Sequence, residues 1–216
     1  MHYKSLYFDL DDTLYPSASG LWEAIRGRMN TYMQKFMDLP LPEIAAMRQS
    51  YLEMYGTTLR GLQTQYEVDA DDYLAFVHDL PLEKFIHPDP DLRRLLESLP
   101  QKRWIFTNSD RNHVKRVLNI LGLTDCFNGI IDIHAVDFAC KPDRLAYQRA
   151  LNFAGDEDPS GCVIFDDALR NLAPAREMGF FTVLVGKNEL EPPVDRVIPS
   201  LHALKECIPE LWGDGK

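Results

Sequence analysis

Several features that define large protein classes are missing from this chain. No apolar run approaches the ~20 residues that a membrane-spanning helix needs. Acidic residues outnumber basic ones, 33 to 23, and the net charge of −10 disfavours binding to a nucleic acid backbone, which depends on clustered lysine and arginine. The four cysteines form no Cys-x-x-Cys pair and the six histidines form no His-x-x-x-His pair, so a zinc site is disfavoured. We therefore expect a soluble protein with no membrane or nucleic acid partner, and with a small molecule as its ligand.

The start of the chain and the cysteines indicate where the protein works. Residues 1–5 run directly into an apolar stretch, without the basic segment, apolar core and cleavage site of a secretory leader. The scattered cysteines are typical of small core residues in a reducing compartment: Cys126, Cys140, Cys162 and Cys207. The sequence thus predicts a cytoplasmic protein.

What is present fits a folded α/β protein of one domain with an insertion. The 216 residues are 45% hydrophobic, enough to bury roughly 70% of the unfolded surface. Residues 16–86 show helical spacing of apolar positions with no convincing strand, whereas helices and strands alternate from residue 87 onward. We expect a parallel-sheet core from residues 1–15 and 87–216, and a helical cap from residues 16–86 inserted after the first strand.

The end of the chain is predicted to be loosely organised. Pro192-Pro193 and Pro199 punctuate it, and Pro removes a backbone donor. We expect a short strand near Val197 and a closing helix from Leu201.

The most informative stretch is residues 6–15, where an apolar run ends in three acids. Asp9 and Asp11 lie two positions apart, which places both side chains on one side of an extended chain. Two close carboxylates repel each other, and a bound Mg²⁺ relieves that repulsion. The alternative is a solvated acidic turn, capped by Thr13.

Polar residues recur at other predicted strand ends. Ligands of an open parallel sheet bind beyond the carboxyl ends of its strands, near the point where the strand order reverses. Each group taken alone also fits a helix cap or a surface lysine. Together they predict one site, formed by Asp9 and Asp11, Thr107 and Asn108, Lys141, and Asp166 and Asp167.

This set resembles the four motifs of the haloacid dehalogenase (HAD) superfamily, in order and over almost the whole chain. The resemblance implies a Rossmann-like core with a helical cap. Further stretches are similar to the pyrimidine 5'-nucleotidase branch: Phe8 to Pro16, Tyr55-Gly56, Leu59 to Leu62, Phe106-Thr107-Asn108 and Cys140-Lys141-Pro142.

The chemistry of phosphate esters assigns roles to the motif residues. Asp9 would attack phosphorus and form an aspartyl phosphate, and Asp11 would protonate the leaving alkoxide and then activate water. The Thr107 hydroxyl and the Asn108 amide would hold phosphoryl oxygens, and Lys141 would offset negative charge.

The predicted cofactor is Mg²⁺. By resemblance, Asp9 and the main-chain carbonyl of Asp11 bind the metal, and Asp166 and Asp167 complete the site directly or through water. Related sequences place the key acid at either of the last two positions, so which of them is the direct ligand stays open.

Two further residues are candidates for contact with the substrate. Arg60 lies in a turn flanked by glycine and could face the substrate or form a surface salt bridge. Tyr15 could line the cleft or pack at the hinge of the cap.

The predicted function is a Mg²⁺-dependent phosphomonoesterase, a 5'-nucleotidase that hydrolyses a pyrimidine or inosine nucleoside 5'-monophosphate. Dehalogenases that resemble this chain lack an acid at the position of Asp11, because a halide leaves without protonation. The alternative of the same fold is a phosphatase for sugars or other small metabolites, or a phosphomutase. A catalytically silent binding protein is disfavoured, since Asp9, Asp11 and Lys141 are all present.

Overall fold

A six-stranded, fully parallel sheet forms the centre of the protein, whose computed structural model describes residues 3–37, 39–186 and 194–213. The strands are β1 (Ser5–Phe8), β2 (Lys102–Phe106), β3 (Gly129–Ile131), β4 (Cys162–Asp166), β5 (Phe181–Val185) and β6 (Arg196–Ile198). Their order is β3-β2-β1-β4-β5-β6, so the strand order reverses at β1, which has β2 on one side and β4 on the other. A parallel sheet binds ligands at such a reversal.

Five α-helices lie between β1 and β2 in the described part of the chain, and the first four form what we call the helical insertion. They are α1 (Leu21–Met37), α2 (Leu41–Tyr55), α3 (Thr58–Tyr66) and α4 (Ala70–His78). The later helices are α5 (Pro90–Glu97), α6 (Arg111–Leu121), α7 (Arg144–Ala154), α8 (Leu169–Met178) and α9 (Leu204–Cys207). The predicted α/β fold with a helical cap is confirmed. No helix among the described residues is long and apolar enough to cross a membrane.

Side chains alternate between the two faces of the sheet, as the period of two in a strand requires. On β1, Leu6 and Phe8 join one buried cluster and Tyr7 joins the other. The ring of Phe8 stacks on that of Phe165 in β4, with 4.5 Å between centroids. Helices α5 and α6 cover the first face, and α7 and α8 cover the second. Both faces are therefore buried, which leaves the ends of the strands as the place for chemistry.

Local sequence signals set the helix that follows β2. Asp110 caps the start of α6, where its side chain accepts hydrogen bonds from the main-chain N–H groups of Asn112 and His113. Gly122 ends the helix with a φ of 75°, a left-handed conformation that glycine adopts at little cost. These two residues fix where α6 begins and ends, and thereby place its first turn beside the end of β1.

The C-terminal region differs in part from its prediction. The strand near Val197 is present as β6, but the closing helix from Leu201 is not continuous. It is divided into a 3-10 turn at Leu201–Ala203, the short α9, and a second 3-10 turn at Pro209–Trp212. Pro209 lacks an N–H and cannot extend α9. The predicted loose segment at Pro192-Pro193 lies outside the described residues.

Gly61 provides a test of the packing inside the helical insertion. A Cβ atom at this position in α3 would come within 2.3 Å of the Tyr51 ring, so Gly61→Ala should lower the free energy of unfolding by about 1–3 kcal/mol through overpacking. Gly27 in α1 is the matched control, because a Cβ there meets nothing within 4 Å. Gly27→Ala should raise the free energy of unfolding by about 0.5–1 kcal/mol. Urea unfolding measures both, and a Gly61→Ala protein as stable as the parent would contradict this packing.

Candidate active site

The end of β1 carries the carboxylate that the sequence predicts as the nucleophile. The main-chain N–H of Asp9 extends the ladder to β4 by donating to the Phe165 carbonyl over 2.9 Å. Its side chain is buried and accepts a hydrogen bond from the Lys141 ammonium over 2.8 Å. Lys141 also donates to Asp166 over 2.7 Å and to the Phe106 carbonyl over 2.9 Å. All three N–H donors of one buried ammonium are thus used to join the ends of β1, β2 and β4.

Three carboxylates converge beside this ammonium. One oxygen from each of Asp9, Asp166 and Asp167 lies within 4.8 Å of the others. Burial and the neighbouring Asp166 raise the pKa of Asp167 to about 7, and burial raises the pKa of Asp9 well above its usual value despite the attraction of Lys141. Such a set of oxygen donors with excess negative charge fits a hard divalent cation such as Mg²⁺.

The two acids that end β4 occupy different environments. Asp166 is fully buried, and besides Lys141 it accepts hydrogen bonds from the main-chain N–H of Ala168 and the side-chain amide of Asn171. Asp167 is partly exposed. Asp166 is therefore fixed by the protein itself, and the choice between the two as a direct metal ligand stays a prediction.

Asp11 sits in a separate hydrogen-bonded pocket. Its Oδ1 atom accepts from the Tyr15 hydroxyl over 2.5 Å and lies 2.9 Å from Nε2 of His113, and its Oδ2 atom accepts from the Ser109 hydroxyl over 2.8 Å. Burial opposes its ionisation, but the charge and hydrogen bond of His113 outweigh it, with help from Tyr15, and hold the pKa of Asp11 well below its usual value. In this arrangement both oxygens of Asp11 accept hydrogen bonds, so Asp11 must take up a proton before it can donate one.

The loop after β2 connects these groups. Thr107 is buried, and its hydroxyl oxygen accepts from the main-chain N–H of Ser109 over 3.1 Å. The side chain of Asn108 is bonded to both main-chain groups of Lys141: it accepts from N–H over 2.8 Å and donates to C=O over 3.0 Å. The side-chain amide of Asn108 thus holds the Lys141 loop in place, and the predicted contact of Asn108 with phosphate stays a prediction.

The two candidates for substrate contact have defined partners. Arg60 forms a 3.1 Å ion pair with Asp143 and does not line the cavity between the helical insertion and the loop after β2, which favours the salt-bridge alternative. Tyr15 is buried and donates to Asp11, so its hydroxyl belongs to the pocket of the predicted proton-transfer group. The prediction that either one contacts substrate stays a prediction.

A cavity of about 490 Å³ separates the helical insertion from the loop after β2, and we call it the insertion cavity. Asn108 and Ser109 contribute to its floor, and most of its wall comes from the insertion. The wall mixes aromatic, amide and guanidinium groups, among them Trp22, Asn30, Arg48, Gln49 and Tyr73. Arg48 donates to the Asn30 amide oxygen over 2.9 Å. The cavity therefore offers apolar surfaces together with donors and acceptors to a bound molecule.

Sequence reasoning missed four residues that support the site. Ser109 and His113 contact Asp11, Asn171 contacts Asp166, and His78 stacks on His113. A weak signal existed for Ser109, since it follows the predicted Thr107-Asn108 pair directly. His78, His113 and Asn171 carry no local signal, because their roles depend on contacts between distant parts of the chain.

Comparison with known proteins identifies the class. Residues 3–179 match the family described as haloacid dehalogenase-like hydrolase, so this chain belongs to that family of hydrolases. The superfamily predicted from the four motifs is confirmed.

Individual relatives share the fold over nearly the full chain. Phosphate metabolism protein 8 of Saccharomyces cerevisiae is 28% identical over 217 residues, which span 94% of this chain and 68% of that protein. The HAD-hydrolase YfnB of Bacillus subtilis, solved with bound magnesium, gives a TM-score of 0.62 at 17% identity and covers 95% of this chain and 98% of its own. A β-phosphoglucomutase of Clostridium difficile gives a TM-score of 0.62 at 20% identity, with 98% of both chains covered. Identities this low between solved structures show the fold alone.

Proposed function

We propose that this protein is a Mg²⁺-dependent phosphomonoesterase that hydrolyses a nucleoside 5'-monophosphate of the pyrimidine or inosine type. The observation that carries the proposal is the presence of Asp11, two residues after Asp9 and held by three side-chain hydrogen bonds. An alkoxide leaving group needs a proton, and a halide does not. A second positioned acid therefore favours phosphate esters over haloacids as substrates.

The roles of the residues follow from their contacts. Asp9 attacks the phosphorus in line and forms the aspartyl phosphate as the bond from phosphorus to the nucleoside oxygen breaks, and Asp11, in its protonated form, donates its proton to that departing oxygen. Lys141, already bonded to Asp9, neutralises charge as the transferring group approaches. Asp11 then accepts a proton from the water that cleaves the acyl phosphate, which returns Asp9 to its carboxylate form.

The cluster of Asp9, Asp166 and Asp167, together with the Asp11 main-chain carbonyl, would hold the Mg²⁺. When bound, the cation supplies positive charge that offsets the negative charge of the phosphoryl oxygens. The oxygen-only donor set and the raised pKa of Asp9 support this assignment.

The insertion cavity supports a nucleoside as the leaving group. A nucleobase has a flat apolar face and a polar edge, and the cavity wall offers the rings of Trp22 and Tyr73 beside the polar side chains of Asn30, Arg48 and Gln49. Its volume of about 490 Å³ lies within the usual range of about 300–1,000 Å³ for small-molecule pockets. Small sugar phosphates would leave much of this wall without contact.

A phosphate-release screen tests the proposal. The purified protein is assayed against nucleoside 5'-monophosphates, sugar phosphates and p-nitrophenyl phosphate, with Mg²⁺ and with EDTA. We expect kcat/KM to be highest for a pyrimidine or inosine 5'-monophosphate, and EDTA to lower the rate by about 10²-fold or more through loss of charge neutralisation.

Other results would point elsewhere. Sugar phosphates that turn over far faster than any nucleotide would refute the nucleotide assignment, and full activity in EDTA would refute the metal. Retention of phosphate on an isomerised sugar product would indicate a mutase.

A further inference from the structure

Two buried histidines connect the helical insertion to the pocket of Asp11. His78 is the last residue of α4, and its ring stacks on that of His113 in α6, with 4.0 Å between centroids and 15° between planes. Nδ1 of His78 lies 2.6 Å from an Asp110 oxygen, and Nε2 of His113 lies 2.9 Å from Asp11. A continuous set of contacts therefore runs from the end of α4 to the predicted proton-transfer carboxylate.

The surroundings of His113 define how it bonds to Asp11. Its side chain has no exposed surface, and its Nδ1 atom has no hydrogen-bond partner within the described part of the chain. A carboxylate can only accept, so Nε2 of His113 must carry a hydrogen and donate it to Asp11. The ring is thus held by one hydrogen bond at its edge and by His78 on its face.

The end of α4 is itself fixed to α6. The guanidinium of Arg116, one turn after His113, donates to the main-chain carbonyls of His78 over 2.7 Å and Leu80 over 2.5 Å. The imidazole of His78 cannot move without breaking its contacts to Asp110 and His113. These bonds make the position of α4 and the orientation of His113 interdependent.

We propose that His113 is the positioning residue for the acid–base carboxylate of Asp11. We also propose that His78 couples the position of the helical insertion to the orientation of His113. This inference rests on the proposed function, in which Asp11 transfers protons. His113 sets the direction in which one Asp11 oxygen points, while Ser109 holds the other. Placement of α4 against α6 then decides whether Asp11 is aligned with the leaving oxygen.

Leaving-group dependence separates this role from general damage to the fold. The value of kcat/KM reports the steps up to departure of the leaving group. Uridine 5'-monophosphate releases an alkoxide that needs the proton, whereas p-nitrophenyl phosphate releases a phenolate that leaves without one. His113→Ala should lower kcat/KM by about 10–100-fold for the nucleotide and by no more than about threefold for the aryl ester.

Two further variants make the test specific. The Nε2–H of glutamine can replace that of the imidazole, so His113→Gln should recover at least about half of the loss on a logarithmic scale. His134→Gln is the matched control, because His134 is partly exposed, pairs with Asp71 and makes no contact with Asp11. His134→Gln should leave kcat/KM unchanged for both substrates.

His78 is tested through its own substitution. His78→Ala should give the same preferential loss for the nucleotide, about 3–10-fold, with its KM changed less than twofold. This result would separate a positioning role from direct contact with the nucleoside, which raises KM. The His78→Ala variant also tests the proposal if circular dichroism and thermal unfolding show that His113→Ala does not fold.

The contrary outcomes are distinct. Equal loss for both substrates, no loss in His113→Ala, or no recovery in His113→Gln would overturn the role of His113. A rise in KM alone for His78→Ala would overturn the link through His78. If the parent protein released no phosphate from either ester, the proposed function would fall, and the positioning role with it.

Discussion

Asp9→Asn is expected to lower phosphate release by roughly 10³-fold or more while the protein stays folded, because the amide cannot form the acyl phosphate. Asparagine has the shape of the aspartate and can still accept from Lys141, so the contacts at the end of β1 persist. The loss should therefore be one of chemistry rather than of structure. Phosphate release under saturating substrate measures the loss of chemistry. Circular dichroism and the thermal midpoint show whether the protein stays folded.

Asp12→Asn is the matched control for that experiment. Asp12 has a φ of 59°, a left-handed conformation that asparagine tolerates well, and no described hydrogen bond joins its side chain to Asp9 or Lys141. Its variant should retain activity within about tenfold of the parent, since its role is to shape the turn. Comparable losses in the two variants would contradict the assignment of Asp9 as the nucleophile.

The largest effect on stability is expected at Lys141. Lys141→Met removes the ammonium and leaves Asp9 and Asp166 buried without that partner, which should lower the free energy of unfolding by about 3–5 kcal/mol. Lys115→Met, at an exposed position of α6, should change it by no more than about 0.5 kcal/mol. Urea unfolding in metal-free buffer compares the two, and an equally small effect at Lys141 would refute its structural role.

The effect at Lys141 should also depend on pH. Burial already raises the pKa of Asp9 above the ordinary value of 3.8, and loss of the ammonium would raise it further. A carboxyl group with a higher pKa in the folded state binds more protons when folded, so the stability of the variant falls as pH rises above that ordinary value. The deficit relative to the parent should be larger at pH 8 than at pH 5. A deficit independent of pH would contradict this account.

The strand ends could be predicted from the sequence because they rest on local rules. Apolar runs of four or five residues that end in acids identified β1 and β4, and parallel strands bring their carboxyl ends to one edge. The contact of Lys141 with Asp9 across 132 positions followed from that topology. Helix ends at Gly122 and Gly179 were equally local, since glycine marks the left-handed residue after a helix.

The supporting residues could not be predicted because they depend on how helices pack. His113 is one polar position on the buried face of α6, and nothing in its neighbours indicates that Asp11, 102 positions away, lies against it. Nothing in the sequence indicated that the Asn108 side chain would also bond to the main chain of Lys141, since that contact depends on the geometry of the Lys141 loop. The sequence allowed Arg60 either to face the substrate or to form a salt bridge, and only the position of Asp143 in the structure favours the salt bridge.

The wall of the insertion cavity bears on how this protein can evolve. Most of its side chains come from the helical insertion, whereas Asp9, Lys141 and Asp166 come from strand ends and the loops that follow strands. Under the proposed function, substitutions that change substrate choice can therefore accumulate in the insertion without altering the groups assigned to phosphate chemistry. His78 is the exception, because it belongs to the wall and also stacks on His113. Within the insertion, selection for a new substrate would therefore be most constrained at His78.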